Sequence, residues 1–230
     1  MLQKTKGIVV SFIKYRDTSV IVKIFTREMG LRSYIVNGVR SSDKSNKMAL
    51  YQPLTLLEMV VYENPSKNLQ RISEAKLYNP SSRIPFDFYR SGIALFVSEV
   101  LAKSIVEGYQ NQPFFDFLER AIGRLDSEHV ILSHYPIAFL LESSKHLGFA
   151  PLDANSFFEE LDLPRVLSDG LGAERDYLDA LVADSFGFRG NVASLTRRNL
   201  LDHYLGYFVR HLDLATDWKS VEVLRHLMHQ

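Results

Sequence analysis

The 230-residue chain contains no cysteine. That excludes disulfides, a thiolate nucleophile and any cysteine-ligated zinc site. Long hydrophobic runs are missing too: the longest apolar stretches are about half a dozen residues, against the ~20 that a membrane-spanning helix needs. Lys4 and Lys6 precede Ile8-Val9-Val10, an apolar run too short for a signal peptide, and Lys14-Tyr15-Arg16-Asp17 follows where a cleavage site would stand. A cytoplasmic protein without membrane contact is expected.

The common catalytic signatures are also absent. There is no Gly-Lys dipeptide and hence no Walker-type phosphate loop; Gly170-Leu171-Gly172 would need a third glycine where Arg175 stands. No G-x-S-x-G occurs, and no glutamate is followed by histidine three residues on, as a di-iron bundle requires. The seven histidines include His129 and His134, His203 and His211, and the i, i+4 pairs Glu142/His146 and Glu222/His226. Such spacings suit helix-surface pairing or a hydrogen-bonded, half-buried ring, and a metal would need a further ligand. No catalysis, cofactor or metal is expected.

What the chain does have is an uneven distribution of charge. The whole sequence carries 27 cations and 27 anions, yet Met1 to Leu50 holds ten Lys or Arg against three Asp or Glu, a net +7 balanced by −7 in the remainder. A basic segment on a neutral protein is the usual footprint of a surface that meets nucleic acid or an acidic membrane. Hydrophobic content of 46% and charged content of 23% are those of an ordinary globular protein.

The basic segment is β-rich. Residues 6–14 alternate as a half-buried strand, with Ile8, Val10 and Phe12 on one side and Val9, Ser11 and Ile13 on the other. Thr18 to Thr26 is a second strand, with Val20, Val22 and Ile24 alternating against Ile21, Lys23 and Phe25. Arg27-Glu28-Met29-Gly30 closes a hairpin into a third strand, Leu31 to Gly38. Ser41 to Lys47 has no apolar residue and reads as a mobile loop. Leu54 to Tyr62 and Leu69 to Leu77 complete five strands, which suit a small closed barrel of the OB type, with the polar loop beside its ligand-binding face.

After Asn79-Pro80-Ser81-Ser82 the apolar period changes from two to 3.6. Stripes at Ile93, Phe96/Val97 and Val100/Leu101, and at Phe114, Phe117/Leu118 and Ala121/Ile122, are helical. Pro136 to His146 reads as a central core helix stopped by Gly148. Helices around Tyr177 to Val182, Leu201 to Leu212 and Val221 to Met228 follow. Residues 149–172 hold Pro151, Pro164 and Gly170 and read as an irregular excursion. The expected fold is therefore α+β: an OB-type barrel domain over 1–80, followed by an all-α domain over 81–230.

Cations in the barrel segment are interleaved with Tyr15, Phe25 and Tyr34, and Tyr51 and Tyr62 lie close behind. Lys and Arg on phosphates with aromatic faces under unstacked bases is how single-stranded nucleic acid is held. The candidate DNA-binding residues are Lys14, Arg16, Lys23, Arg27, Arg32, Tyr34, Arg40, Lys44 and Lys47. Arg40, Lys44 and Lys47 lead because their loop offers no packing role. Each aromatic also suits the barrel core, Phe12 and Phe25 above all. Arg197 and Arg198, at a helix start where cations oppose the helix dipole, form a possible secondary basic site.

KGIVVSFIKYRDTSVIVKIFTREMGLRSYIVNGVR, LQRISEAKLY and YLGYFVRHLDLATDWKSVEVLRHL together resemble the bacterial recombination-mediator family RecO, nearly end to end. The resemblance implies an N-terminal OB fold, a helical remainder, and a non-enzymatic role in recombinational DNA repair at the nucleoid. It also implies binding and annealing of single- and double-stranded DNA, engagement of the acidic tail of single-stranded-DNA-binding protein (SSB), and RecA loading together with RecR. Arg40 matches a basic position of the family at the end of the third strand. Many members carry a four-cysteine zinc module after an L-G-F-A-P turn. Here LGFAP occupies 147–151 with no cysteine after it, so the segment must fold without zinc, with Phe157, Phe158 and Leu161 available to pack on the helices. An OB-fold adaptor for protein or RNA, with incidental DNA contact, is the alternative reading.

Overall fold

In a computed structural model, residues 1–39, 45–64, 66–163, 171–214 and 217–227 are described. The chain forms two compact units, Met1–Asp126 and Ser127–Gln230.

Five strands build the first unit: β1 (Leu2–Tyr15), β2 (Ser19–Thr26), β3 (Gly30–Val36), β4 (Leu56–Tyr62) and β5 (Leu69–Leu77). They close in the order β1-β2-β3-β5-β4, every pairing antiparallel except β3 with β5. The parallel seam has three rungs, Ser33 to Leu69, Tyr34 to Gln70 and Ile35 to Arg71. Both the α+β class and the closed five-stranded barrel agree with the sequence.

β1 departs from simple alternation. Val9 faces Ile24 and Ser11 faces Lys23, so Val10 is an extra residue, a β-bulge. The bulge shifts the phase: Val9 and, beyond it, Phe12 pack into the barrel with Val20, Val22, Ile24 and Tyr34. Ile8 and Val10 are fully buried outside that cluster, and the Val10 carbonyl accepts the Ser98 hydroxyl from the covering helix. The expected grouping of Ile8, Val10 and Phe12 on one side is thus split.

A short helix, α1 (Ser45–Ala49), follows β3, so Lys47 stands on a helical turn and not in a loop. Arg40, Lys44 and the rest of 40–44 lie outside the described residues. Two long helices complete the unit, α2 (Phe88–Ser104) and α3 (Gln112–Asp126). Asp87 caps α2 by accepting the Arg90 amide at 3.0 Å. At the end of α3, Asp126 accepts the amides of Ser82, Arg83 and Ile84, each at 2.8 Å, fixing the stretch that leads from the barrel to α2. Burial pushes the Asp126 carboxyl up, but those amides outweigh it and hold the group below its ordinary range.

The second unit comprises α4 (Tyr135–Leu147), α5 (Ala154–Leu161), α6 (Gly172–Ala183), α7 (Ser194–Leu212) and α8 (Lys219–Leu227). α4 is apolar on most sides and ends at Gly148, whose φ of 88° only glycine adopts readily. The expectation of an irregular stretch over 149–172 is corrected for 154–161, which is helical. Asp153 and Ser156 form a reciprocal cap, with the Ser156 amide donating to the Asp153 carboxylate at 2.8 Å and the Asp153 amide to the Ser156 hydroxyl at 3.2 Å. The same polar residues that read as a loop are the start signal of a helix. Phe157 and Phe158 are buried, as the cysteine-free reading requires, and the Phe157 ring lies 4.9 Å from Tyr204 and 4.8 Å from Tyr207. Residues 164–170 are outside the described set.

Candidate nucleic-acid interface

The cations of the N-terminal segment separate according to which end of the barrel they occupy. At the end bearing the β2–β3 hairpin they are engaged by acids of the same unit. Arg27 donates to Asp116 on α3 from Nε at 2.9 Å and Nη2 at 3.2 Å. Lys6 reaches Glu119 at 3.4 Å, and Arg32 reaches Glu63 at 3.3 Å. The hydrogen bond from Arg27 holds the Asp116 carboxyl below its usual range. Glu107 accepts both the amide and the hydroxyl of Ser33, each at 2.9 Å.

The opposite end carries the β1–β2 turn, the exit of β3 and α1. Lys14 pairs in register with Val20, which pairs with Val36. Arg16 closes the turn with its guanidinium 5.1 Å from the Tyr15 ring centre. Val36, Lys47, Tyr51 and Arg71 line a groove of about 490 Å³, opened where β3 and β5 diverge beyond their three shared rungs. Glu74 also lines it, so the groove is not purely cationic. Lys23 lies midway along β2, exposed on the outer face between Ser11 and Ser33.

The structure thus gathers Lys14, Arg16 and Lys47 at one end, with Lys23 on the adjoining sheet face. It places Arg27 and Arg32 at the other end in ion pairs. Tyr34 is corrected as a stacking residue: it is 0% exposed in the barrel core, where burial raises its hydroxyl well above its ordinary range. Phe25 is also buried, but on the outer face, its ring 5.9 Å from Phe114 and 6.0 Å from Phe115 of α3. Tyr51 is 4% exposed. Of the five interleaved aromatics, only Tyr15 and Tyr62 offer a face to the outside. Arg71 escapes a reading of the sequence because its neighbour across the parallel seam, Ile35, is distant in the chain; its place between Gln70 and Ile72 in an alternating strand is the one signal that points to it.

In the second unit, Arg197 and Arg198 are half-buried. The Arg197 guanidinium donates to the Val192 carbonyl just before α7, so it fixes the approach to a helix start that lacks a side-chain cap. Two of the histidines act as structural partners: His203 donates to Glu174 at 2.8 Å and His211 to Glu160 at 2.9 Å. Glu142 pairs with Lys145 at 2.7 Å. Among the described residues there is no group of three potential metal ligands, and no helix is long and apolar enough to cross a membrane.

Comparison with known proteins gives this layout a family. Residues 1–81 match the family described as "Recombination protein O N terminal", and residues 85–156 match "Recombination protein O C terminal". A protein from Flavobacterium psychrophilum named DNA repair protein RecO is 38% identical over 234 residues, covering 97% of this chain and 98% of its own length. Its namesake in Flavobacterium johnsoniae is 35% identical with the same coverage. That of Phocaeicola vulgatus is 42% identical over 66% of this chain and 63% of its own. With a barrel and helical body of the expected order and relatives aligned along nearly the whole sequence, the chain belongs to the RecO family of recombination proteins.

Proposed function

We propose that this protein is a non-enzymatic mediator of recombinational DNA repair that holds single- and double-stranded DNA on the basic end of its barrel and promotes annealing of complementary strands. One observation carries the reading: Lys14 and Lys47 stand at the barrel end with the open groove, where Arg16 closes the β1–β2 turn, and Lys6, Arg27 and Arg32 are held by acids at the other. A polyanion is drawn to the end where the cations collect. Arg40 and Lys44 belong to the proposed contact set by their position in the sequence. Family membership supports the wider role, in which the protein acts with RecR, engages the acidic tail of SSB and aids loading of RecA onto SSB-coated DNA. Arg197 and Arg198 are proposed as a secondary contact.

The test is a fluorescence titration of labelled oligonucleotide over a range of salt. For single strands each phosphate contact contributes about 0.7 to the log–log slope. Replacing Lys14, Lys23 and Lys47 by alanine is expected to lower the slope by about 2 and to weaken all sequences alike. A flat salt response of the unaltered protein overturns the reading.

A further inference from the structure

The registers of all five strands trace a continuous outward-facing row around the barrel. Leu2 on β1 pairs with Tyr62 on β4, Tyr62 with Arg71 on β5, Arg71 with Ile35 on β3, Ile35 with Ile21 on β2, and Ile21 with Ile13, back on β1. The row returns to its starting strand eleven residues further along, from Leu2 to Ile13, as the stagger of a closed, tilted barrel requires. An odd interval would normally turn Ile13 inward, but the bulge at Val10 restores its outward phase. Cross-strand partners point to the same face of a sheet. The inner positions are filled by Val9, Val22, Ile24 and Tyr34, which leaves the row on the outside.

The row is largely apolar and open to solvent: Ile13 is 62% exposed, Leu2 53% and Tyr62 50%, with Ile21 and Ile35 half-buried and Arg71 exposed. Cations flank it. Lys23 is the next residue of β2 on the same face, and Lys47 shares the groove with Ile35 and Arg71. An exposed apolar stripe edged by positive charge matches a ligand that presents flat apolar faces on a polyanionic backbone. Resting on the DNA-binding reading above, we propose that this row is the seat of a single strand with unpaired bases. Tyr62 stacks on a base, Ile21 and Ile35 floor the path, and Arg71 meets a phosphate. Paired bases of a duplex keep their faces covered, so the row selects single strands.

The experiment titrates full-length protein with labelled oligodeoxythymidine and with a duplex of equal length, comparing Tyr62→Ala, Tyr62→Phe and Arg71→Ala. Stacking of one base is worth on the order of a tenfold change in affinity. Tyr62→Ala is expected to weaken single-strand binding about tenfold with an unchanged salt slope, and Tyr62→Phe to restore it. Arg71→Ala is expected to lower the slope by about 0.7. Tyr62→Ile, which keeps a strand-favouring side chain without a π face, replaces alanine if β4 is unsettled. Unchanged single-strand affinity in Tyr62→Ala, or an equal loss on duplex, overturns the proposal while leaving DNA binding itself intact. Absence of salt-dependent binding by the unaltered protein instead removes the reading on which it rests.

Discussion

Arg27 and Asp116 face each other side-on, two hydrogen bonds of 2.9 and 3.2 Å joining the β2–β3 hairpin to α3. A guanidinium committed in this way has its best donors occupied. Arg27→Ala is therefore expected to leave the salt slope of oligonucleotide binding unchanged, whereas Lys47→Ala lowers it by about 0.7. Parallel titrations of the two variants decide the matter; equal losses would show that Arg27 leaves Asp116 to meet DNA.

Gly30 should tolerate no side chain. Its φ is 74°, and a Cβ there would overlap the Tyr109 carbonyl oxygen, which accepts the Leu31 amide at 2.9 Å. Positive φ alone costs a non-glycine residue about 1–2 kcal/mol, and here the obstacle is backbone, which cannot swing aside. Gly30→Ala is expected to lose at least about 2 kcal/mol in denaturant unfolding.

Phe157 is fully buried against Tyr204 and Tyr207 in the second unit. Truncation leaves a cavity among rigid rings. Phe157→Ala is expected to cost about 3–5 kcal/mol, read from chemical denaturation, while Phe157→Leu should cost less.

His134 gives the second unit a pH dependence. Its Nε2 donates to the Gly190 carbonyl at 3.0 Å, and its Nδ1 pairs at 2.8 Å with the Tyr177 hydroxyl, which can donate to the neutral ring. Burial lowers its pKa from the ordinary 6.5, and the charges of Arg197 and Arg189 act in the same direction, against the Gly190 carbonyl. With the folded value depressed, the unfolded chain binds more protons, so stability is full above about pH 6.5 and falls as pH drops below it. Thermal unfolding from about pH 7.5 to about pH 5 should show this decline. His134→Asn should flatten it at the cost of lower stability at neutral pH.

Much of the fold is legible in the sequence because it is local. Val20, Val22 and Ile24 announce β2, and the change of period after residue 82 announces the helices. Features that depend on distant residues are hidden. Tyr34 and Phe25 have the chemistry of stacking platforms, but one fills the barrel and the other lies beneath α3. Arg27 reads as a solvated cation until α3 brings Asp116 to it, and Arg71 reads as an ordinary surface residue until the parallel seam sets it beside Ile35. The capping role of Asp153 and Ser156 is within reach of the sequence, but the surrounding prolines argue for a loop.

The surplus residue in β1 lets one strand serve two neighbours. Its first half gives Ile8 and Val10 to the helical cover, and its second half returns Phe12 to the interior while releasing Ile13 to the solvent. Deleting the surplus residue would leave Phe12 inside and Ile13 outside, in phase with Val22 and Ile21, but would remove the buried Val10 and the carbonyl that accepts Ser98. The extra residue therefore anchors the helical cover and leaves the barrel lining untouched, so a β1 shortened by Val10 would keep its interior and lose its hold on α2.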